Sequence, residues 1–151
     1  MAIVAIHTSP NVAVKEIEAL DEVRKWVTKR YRKQLHQDKI LYPVIYDRMQ
    51  SAYLIKHICL IAHRTRTTNV LIAGDLNASR PYVYDWDKCP LRDEKKYEWY
   101  IKDHVDTTAT GTMAAYDRII GYGKNLPRVV EPDSGRAFRY DEESSFCGMF
   151  Y

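Results

Sequence analysis

The sequence predicts an α+β chain of short apolar strands and amphipathic helices. Three observations predict it. Ala2 to His7 opens the chain as a short apolar run rich in β-branched residues, which reads as a strand. Val14, Ile17, Leu20, Trp26 and Val27 then recur at helical spacing. Val70-Leu71-Ile72-Ala73 is a second short apolar run, closed by Gly74-Asp75, and reads as a buried strand.

Each element has a local reason. Ser9 is a good helix N-cap and Pro10 suits the first helical position, so a helix runs from about residue 10 toward 30. Past a basic cluster, Lys29 to Lys33, Tyr42-Pro43 interrupts the pattern. A second helix is expected from Tyr46 to about His63, carrying Met49, Tyr53, Ile58, Leu60 and Ile61. After the strand at 70–73 comes a loop around Tyr82 to Pro90, then a strand with Tyr97, Trp99 and Ile101. A Thr-rich turn leads to a strand from Ala115 to Gly121, and Lys124 to Pro127 forms a turn. Arg128-Val129-Val130 is expected to be a short last strand.

Composition bounds the answer. The 151 residues suffice for one domain, and 46% hydrophobic content is that of a globular chain. A net charge of +3 neither diagnoses nor opposes a polyanionic partner. No stretch is long and apolar enough to span a bilayer, so no membrane partner is expected. The N-terminus lacks the basic-then-apolar layout of a signal peptide. Cys59, Cys89 and Cys147 are odd in number and irregularly spaced, which indicates neither a disulfide framework nor a zinc site.

The residues that could carry chemistry lie at strand ends. Residues two apart on an extended chain point the same way, so Asp75 and Asn77 would project together from the sheet rim. The carboxylate could hold a hard divalent cation or orient a water, and the amide could donate to a phosphoryl oxygen. A Gly-Asp-x-Asn turn, in which the side chains bond their own backbone, accounts for the same letters. About forty residues on, Tyr116-Asp117-Arg118-Ile119 places another carboxylate on a strand. Tyr116 should then face the core and Arg118 should brace acidic neighbours. Asp103-His104 imitates an acid–base pair, but so short a motif arises readily by chance, and it is read as a decoy.

Taken in order, these strings resemble the deoxyribonuclease I family of the endonuclease/exonuclease/phosphatase superfamily. Ile3 to Pro10 with Val14 to Leu20, Asn69 to Tyr82 with Gly-Asp-Leu-Asn-Ala, Asp106 to Thr112, and Ala115 to Ile120 are collinear with the family's second half. The resemblance covers residues 2–20 and 66–140 of a partial domain spanning 1–151. Between them, within 22–66, the chain carries about thirty extra residues, a length unusual for a loop. A helical surface excursion, a basic arm touching a DNA backbone, and translated non-coding sequence remain open for that segment.

The resemblance implies a four-layer α/β sandwich of two β-sheets with outer helices, present only in part because the family's N-terminal half is missing. It implies a divalent-metal-dependent endonuclease acting on double-stranded DNA, with Mg2+ and Ca2+ as cofactors, secreted in the family. By resemblance, His7, Asp75, Asn77 and Asp117 are catalytic, Asp75 also handles Mg2+, and Tyr82 lines the substrate groove. Asp106, Thr108, Thr110 and Thr112 correspond to a structural Ca2+ site; alternating Thr on a strand is the plainer account. A family disulfide falls on Arg80 and Ala114 here, so that staple is gone. The family's second active-site histidine has no counterpart, which implies little activity. Two rivals stay open: a non-catalytic remnant binding protein or nucleic acid, and another phosphoesterase of the superfamily. Asn77-Ala78-Ser79 is also a glycosylation sequon.

Overall fold

The structure, a computed structural model, describes residues 1–33, 58–62, 68–86, 88–109, 111–131 and 134–137. Its centre is a five-stranded mixed sheet in the order β2-β1-β3-β5-β4. The strands are β1 (Ala2–Ile6), β2 (Ile58–Ala62), β3 (Val70–Asp75), β4 (Tyr97–Trp99) and β5 (Asp117–Tyr122). One long helix, α1 (Ala13–Lys33), follows a single 3₁₀ turn at Pro10–Val12. This is a partial α/β fold of the expected class, and the described residues hold one sheet rather than two.

β1 and β3 run parallel, with Ala2 opposite Val70 and Ala5 opposite Ala73. β5 then returns antiparallel to β3, which sets Ile72 against Ile120 and Asp75 against Asp117. Because side chains alternate along a strand, this register sorts the sheet into two faces. Ala2, Val4, Ile6, Val70, Ile72 and Ile120 point one way and are buried. Ile3, Ala5, Leu71, Ala73 and Ile119 point the other way and are only half-buried.

α1 covers the first face. Its buried stripe is Ala13, Ile17, Leu20, Val23 and Val27, spaced three or four apart. Val14 was expected in that stripe but is 37% exposed, because it sits one residue off the row that Ala13 and Ile17 define. The helix start also differs in detail. Ser9 makes no side-chain cap; instead the buried Glu16 carboxylate accepts the Ser9 backbone N–H at 2.6 Å. The N-cap amide is thus satisfied by an acid reaching back along the helix.

A buried polar knot joins α1 to the far edge of the sheet. Asp21 accepts hydrogen bonds from Arg24 and from the Tyr97 hydroxyl, and pairs with Lys25 at 2.8 Å. The Arg24 guanidinium lies 4.2 Å above the Tyr122 ring. The hydrogen bonds from Lys25, Tyr97 and Arg24 outweigh the upward push of burial and bring the Asp21 carboxyl down to about 2.

Three expectations are corrected. The helix expected from Tyr46 to His63 is contradicted at 58–62, where Ile58 to Ala62 form β2, antiparallel to β1. The open edge of β1 offers unpaired backbone groups, and a five-residue apolar run satisfies them better as a strand. Residues 46–57 and His63 lie outside the described residues. The short last strand at 128–130 is instead the end of a 3₁₀ turn, Leu126–Arg128, closed by Val129 and Val130 N–H groups bonding the Leu126 carbonyl. Tyr116 is not core: it is half-buried just before β5, and its hydroxyl donates to the Arg80 carbonyl at 3.1 Å.

Candidate functional site

The candidate site is built where β1 and β3 end and β5 begins, on the face that α1 leaves open. Gly74 makes this rim possible. Its φ of +140° suits glycine, and a Cβ there would lie 1.9 Å from the Ile6 carbonyl oxygen. The close approach brings the end of β3 against the end of β1. The Thr8 N–H then bonds the Asp75 carbonyl at 2.9 Å and locks the two ends together.

Three of the anticipated residues meet here. His7 Nε2 stands 3.6 Å from Asp75 Oδ2, with side chains 63% and 37% exposed. Asp117 is the direct partner of Asp75 across the β3–β5 ladder. Partial desolvation, and then the Asp75 charge facing it, push the Asp117 carboxyl upward. Two carboxylates and an imidazole therefore share a solvent-reachable rim, an arrangement that attracts a cation or a proton.

Asn77 belongs to the rim in a different way. It is 5% exposed, with φ +47°, and its Nδ2 donates to the Thr8 carbonyl at 2.9 Å. Its backbone N–H bonds Asp75 Oδ1 at 2.9 Å. The turn in which Asx side chains bond their own backbone is thus formed, and it orients the Asp75 carboxylate at the same time. Burial of Asn77 also sets the sequon against modification, which requires an exposed amide.

Tyr82 flanks the rim. Its ring centroid is 5.5 Å from that of Tyr116, and Tyr116 in turn accepts Leu76 into the sheet edge through its carbonyl at 3.0 Å. Tyr82 itself is 36% exposed, on a loop that contains a cis Arg80-Pro81 bond.

Arg118, next to Asp117, points to the opposite face and is 2% exposed. It donates to the carbonyls of Ala115, Ile101 and Ala78, and pairs with Asp103 at 2.9 Å. This is the bracing expected of it. Asp103 also pairs with Arg92 at 2.7 Å, so the carboxylate of the Asp103-His104 string is engaged away from the rim.

The Thr-rich turn gathers oxygens by itself. Asp106 Oδ1 accepts the Thr108 N–H at 2.9 Å, the Thr108 hydroxyl at 2.8 Å and the Ala114 N–H at 3.3 Å, and the Thr108 hydroxyl also reaches the Thr112 carbonyl. Thr110 lies outside the described residues. Among the described residues, no three His, Cys, Asp or Glu side chains gather closely enough to form a ready metal cage. No described helix is long and apolar enough to cross a membrane.

The polar knot around Asp21 escaped sequence reading, since its partners are 76 residues apart and no motif links them. The spacing of Asp21, Arg24 and Lys25 on one helix face was the only visible signal.

No family model matches the chain. Curated relatives do. Deoxyribonuclease-1 of Bos taurus is 33% identical over 141 residues, which is 92% of this chain and 38% of that protein. Deoxyribonuclease-1 of Homo sapiens is 31% identical over the same shares. Deoxyribonuclease-1-like 2 of Mus musculus is 28% identical over 145 residues, 95% of this chain and 40% of the relative. The chain thus spans about two fifths of the length of the relatives it matches.

Proposed function

We infer that this chain, which belongs to the deoxyribonuclease I family, supplies one wall of a divalent-metal-dependent site for phosphodiester hydrolysis in DNA. The observation that carries this reading is the meeting of His7, Asp75 and Asp117 at one sheet rim. Hydrolysis needs a nucleophilic water, countercharge on the phosphoryl oxygens, and a proton for the leaving oxygen. His7 is placed to donate a proton or hydrogen bond to the phosphate. Asp75 orients the water or holds Mg2+. Asn77 has a second amide hydrogen to offer beside the one that Thr8 accepts. Asp117 raises the negative charge of the rim and, in this reading, orients a second acid–base group supplied from outside the described residues.

Mg2+ is satisfied by one or two carboxylates plus water, and the opposed Asp75 and Asp117 fit that modest demand. Bound there, the cation would offset the charge that builds on the phosphoryl oxygens. The oxygens of Asp106, Thr108 and Thr112 are hard ligands that suit Ca2+, with Thr110 in the same string. Double-stranded DNA as substrate and a secreted location belong to the same reading.

One histidine stands at the rim among the described residues, so turnover by the chain alone is expected to be close to nil. Losing one member of a catalytic unit costs orders of magnitude. The test pairs two readouts on the full chain. Duplex binding in Mg2+ should depend on the cation and weaken in Asp75→Ala, while plasmid nicking stays at trace level and vanishes in that variant. Binding that ignores both Mg2+ and Asp75→Ala would overturn the reading.

A second reading, a binding module without catalysis, is favoured by one observation. Asn77 and Asp75 already satisfy one another and Thr8 in the folded chain, as purely structural residues would. Trace nicking separates the two.

A further inference from the structure

Beside the rim lies a feature that hydrolysis does not use. Residues 79–84 form a tight loop in which the Tyr82 and Val83 N–H groups both bond the Ser79 carbonyl at 3.0 Å. Val83 is 3% exposed and pins the loop to the core, so Tyr82 and Tyr84 on either side of it face outward. Tyr84 is 67% exposed. The Arg80 guanidinium lies 5.3 Å from the Tyr84 ring centroid. The loop is held to the site by the Tyr116 hydroxyl on the Arg80 carbonyl, and Tyr116 adjoins Asp117.

We propose that Arg80 and Tyr84 form a stacking clamp for an unpaired nucleotide beside the phosphoryl rim. Tyr84 is a large aromatic ring held out in water by an ordered loop, and the exposed cation–π contact with Arg80 covers only part of it. Arg80 lies over one face of the ring; the other face and the cation match what single strands offer: a base with both faces free and a phosphate next to it. A duplex keeps its bases stacked on each other, so it can use Arg80 as a countercharge but not the Tyr84 ring. Tyr82, whose ring already leans on Tyr116, has less face to give. The clamp would therefore add affinity where a duplex carries an unpaired base near the phosphate to be cut, as at a gap or a flap.

This inference rests on the nucleic-acid reading above, and its test separates the two. Fluorescence anisotropy of the full chain in Mg2+ compares a labelled 12-nucleotide strand with its duplex. Tyr84→Ala should weaken single-strand binding on the order of tenfold and duplex binding by less than about twofold. Tyr84→Trp should restore the single strand, and Arg80→Gln should weaken both forms through the lost charge. Equal losses for strand and duplex in Tyr84→Ala, or no loss for the strand, would overturn the clamp while duplex binding leaves the functional reading in place. A chain that binds neither form would overturn both. Matching thermal melts of the variants exclude a folding defect, as the exposure of Tyr84 leads one to expect.

Discussion

Asp75 and Asp117 are direct partners across the β3–β5 ladder, two carboxylates opposed at the rim of a sheet. Like charges in that relation cost stability. His7 Nε2 stands 3.6 Å from Asp75 Oδ2, and partial burial, then the Asp75 charge, push the Asp117 carboxyl upward. The proposed cation at this rim would relieve that repulsion.

Replacing Asp117 by Asn should therefore stabilise the metal-free chain. Removing a like-charge cross-strand pair is worth roughly 0.2–1 kcal/mol. Thermal melts in chelator at pH 7 should show a Tm a few degrees higher than that of the unaltered chain, and added Mg2+ should narrow the gap. An Asp117→Asn variant that melts lower in chelator would show that the carboxylate is satisfied by other partners.

The Thr-rich turn gives a second expectation. Asp106 Oδ1 is shared by three donors in the folded chain, and its carboxylate is the one formal charge at the proposed Ca2+ site. Millimolar Ca2+ should raise the Tm of the full chain, and Asp106→Asn should abolish the rise while Asp75→Asn leaves it. A rise that survives Asp106→Asn would remove the Ca2+ assignment from this turn.

The strand-end positions that form this candidate site were legible in the sequence, and the reasons are local. Asp75 and Asp117 each close or open an apolar strand, which marks both as carboxylates at strand ends. The register that opposes them was not legible, because it depends on the Gly74 approach to β1 and on the β3–β5 pairing. Val14 and Ile17 both look like stripe residues until the helix phase is known. The run Ile58 to Ala62 fails for a related reason: five apolar residues fit either period, and only the open edge of β1 decides for a strand. The Asp21 knot is a tertiary event with no motif at all.

That knot predicts a pH dependence. The Asp21 carboxyl sits at about 2 in the fold against an ordinary 3.8, so its contribution is present above pH 4 and is lost as the pH falls through about 2. The shift is worth roughly 2 kcal/mol at neutral pH. Urea midpoints of Asp21→Asn should fall below those of the unaltered chain at pH 7, and the gap should close toward pH 2. A gap that stays constant from pH 7 to 2 would assign the loss to packing instead of charge.

Gly74→Ala tests the architecture of the rim. The added methyl would have to share space with the Ile6 carbonyl oxygen, and the backbone angle itself disfavours alanine. Strain and overpacking of this kind cost about 1–3 kcal/mol. The variant should melt several degrees lower and lose Mg2+-dependent duplex binding together. A variant that melts normally but binds poorly would mean that the rim tolerates the methyl and that Gly74 serves the ligand directly.

The open sheet face sets the last expectation. α1 buries Val4, Ile6, Val70, Ile72 and Ile120 almost completely, so one side of the sheet is stabilised as a normal core. Ile3, Ala5, Leu71, Ala73 and Ile119 on the other side are half-buried, and they lead directly to Asp75 and Asp117. Each large side chain covered only in part forgoes part of roughly 1.5–3 kcal/mol, out of a total domain stability of only about 5–15 kcal/mol. Contiguous apolar surface of that kind promotes association. The purified chain should bind a hydrophobic dye and self-associate at micromolar concentration, with a broad melt. Leu71→Thr with Ile119→Thr should lower dye binding and shift the chain toward monomer, since threonine keeps the strand propensity while wetting the face. A sharp cooperative melt of a monomer that binds no dye would show that this face is already covered, and would leave the double substitution destabilising instead of helpful.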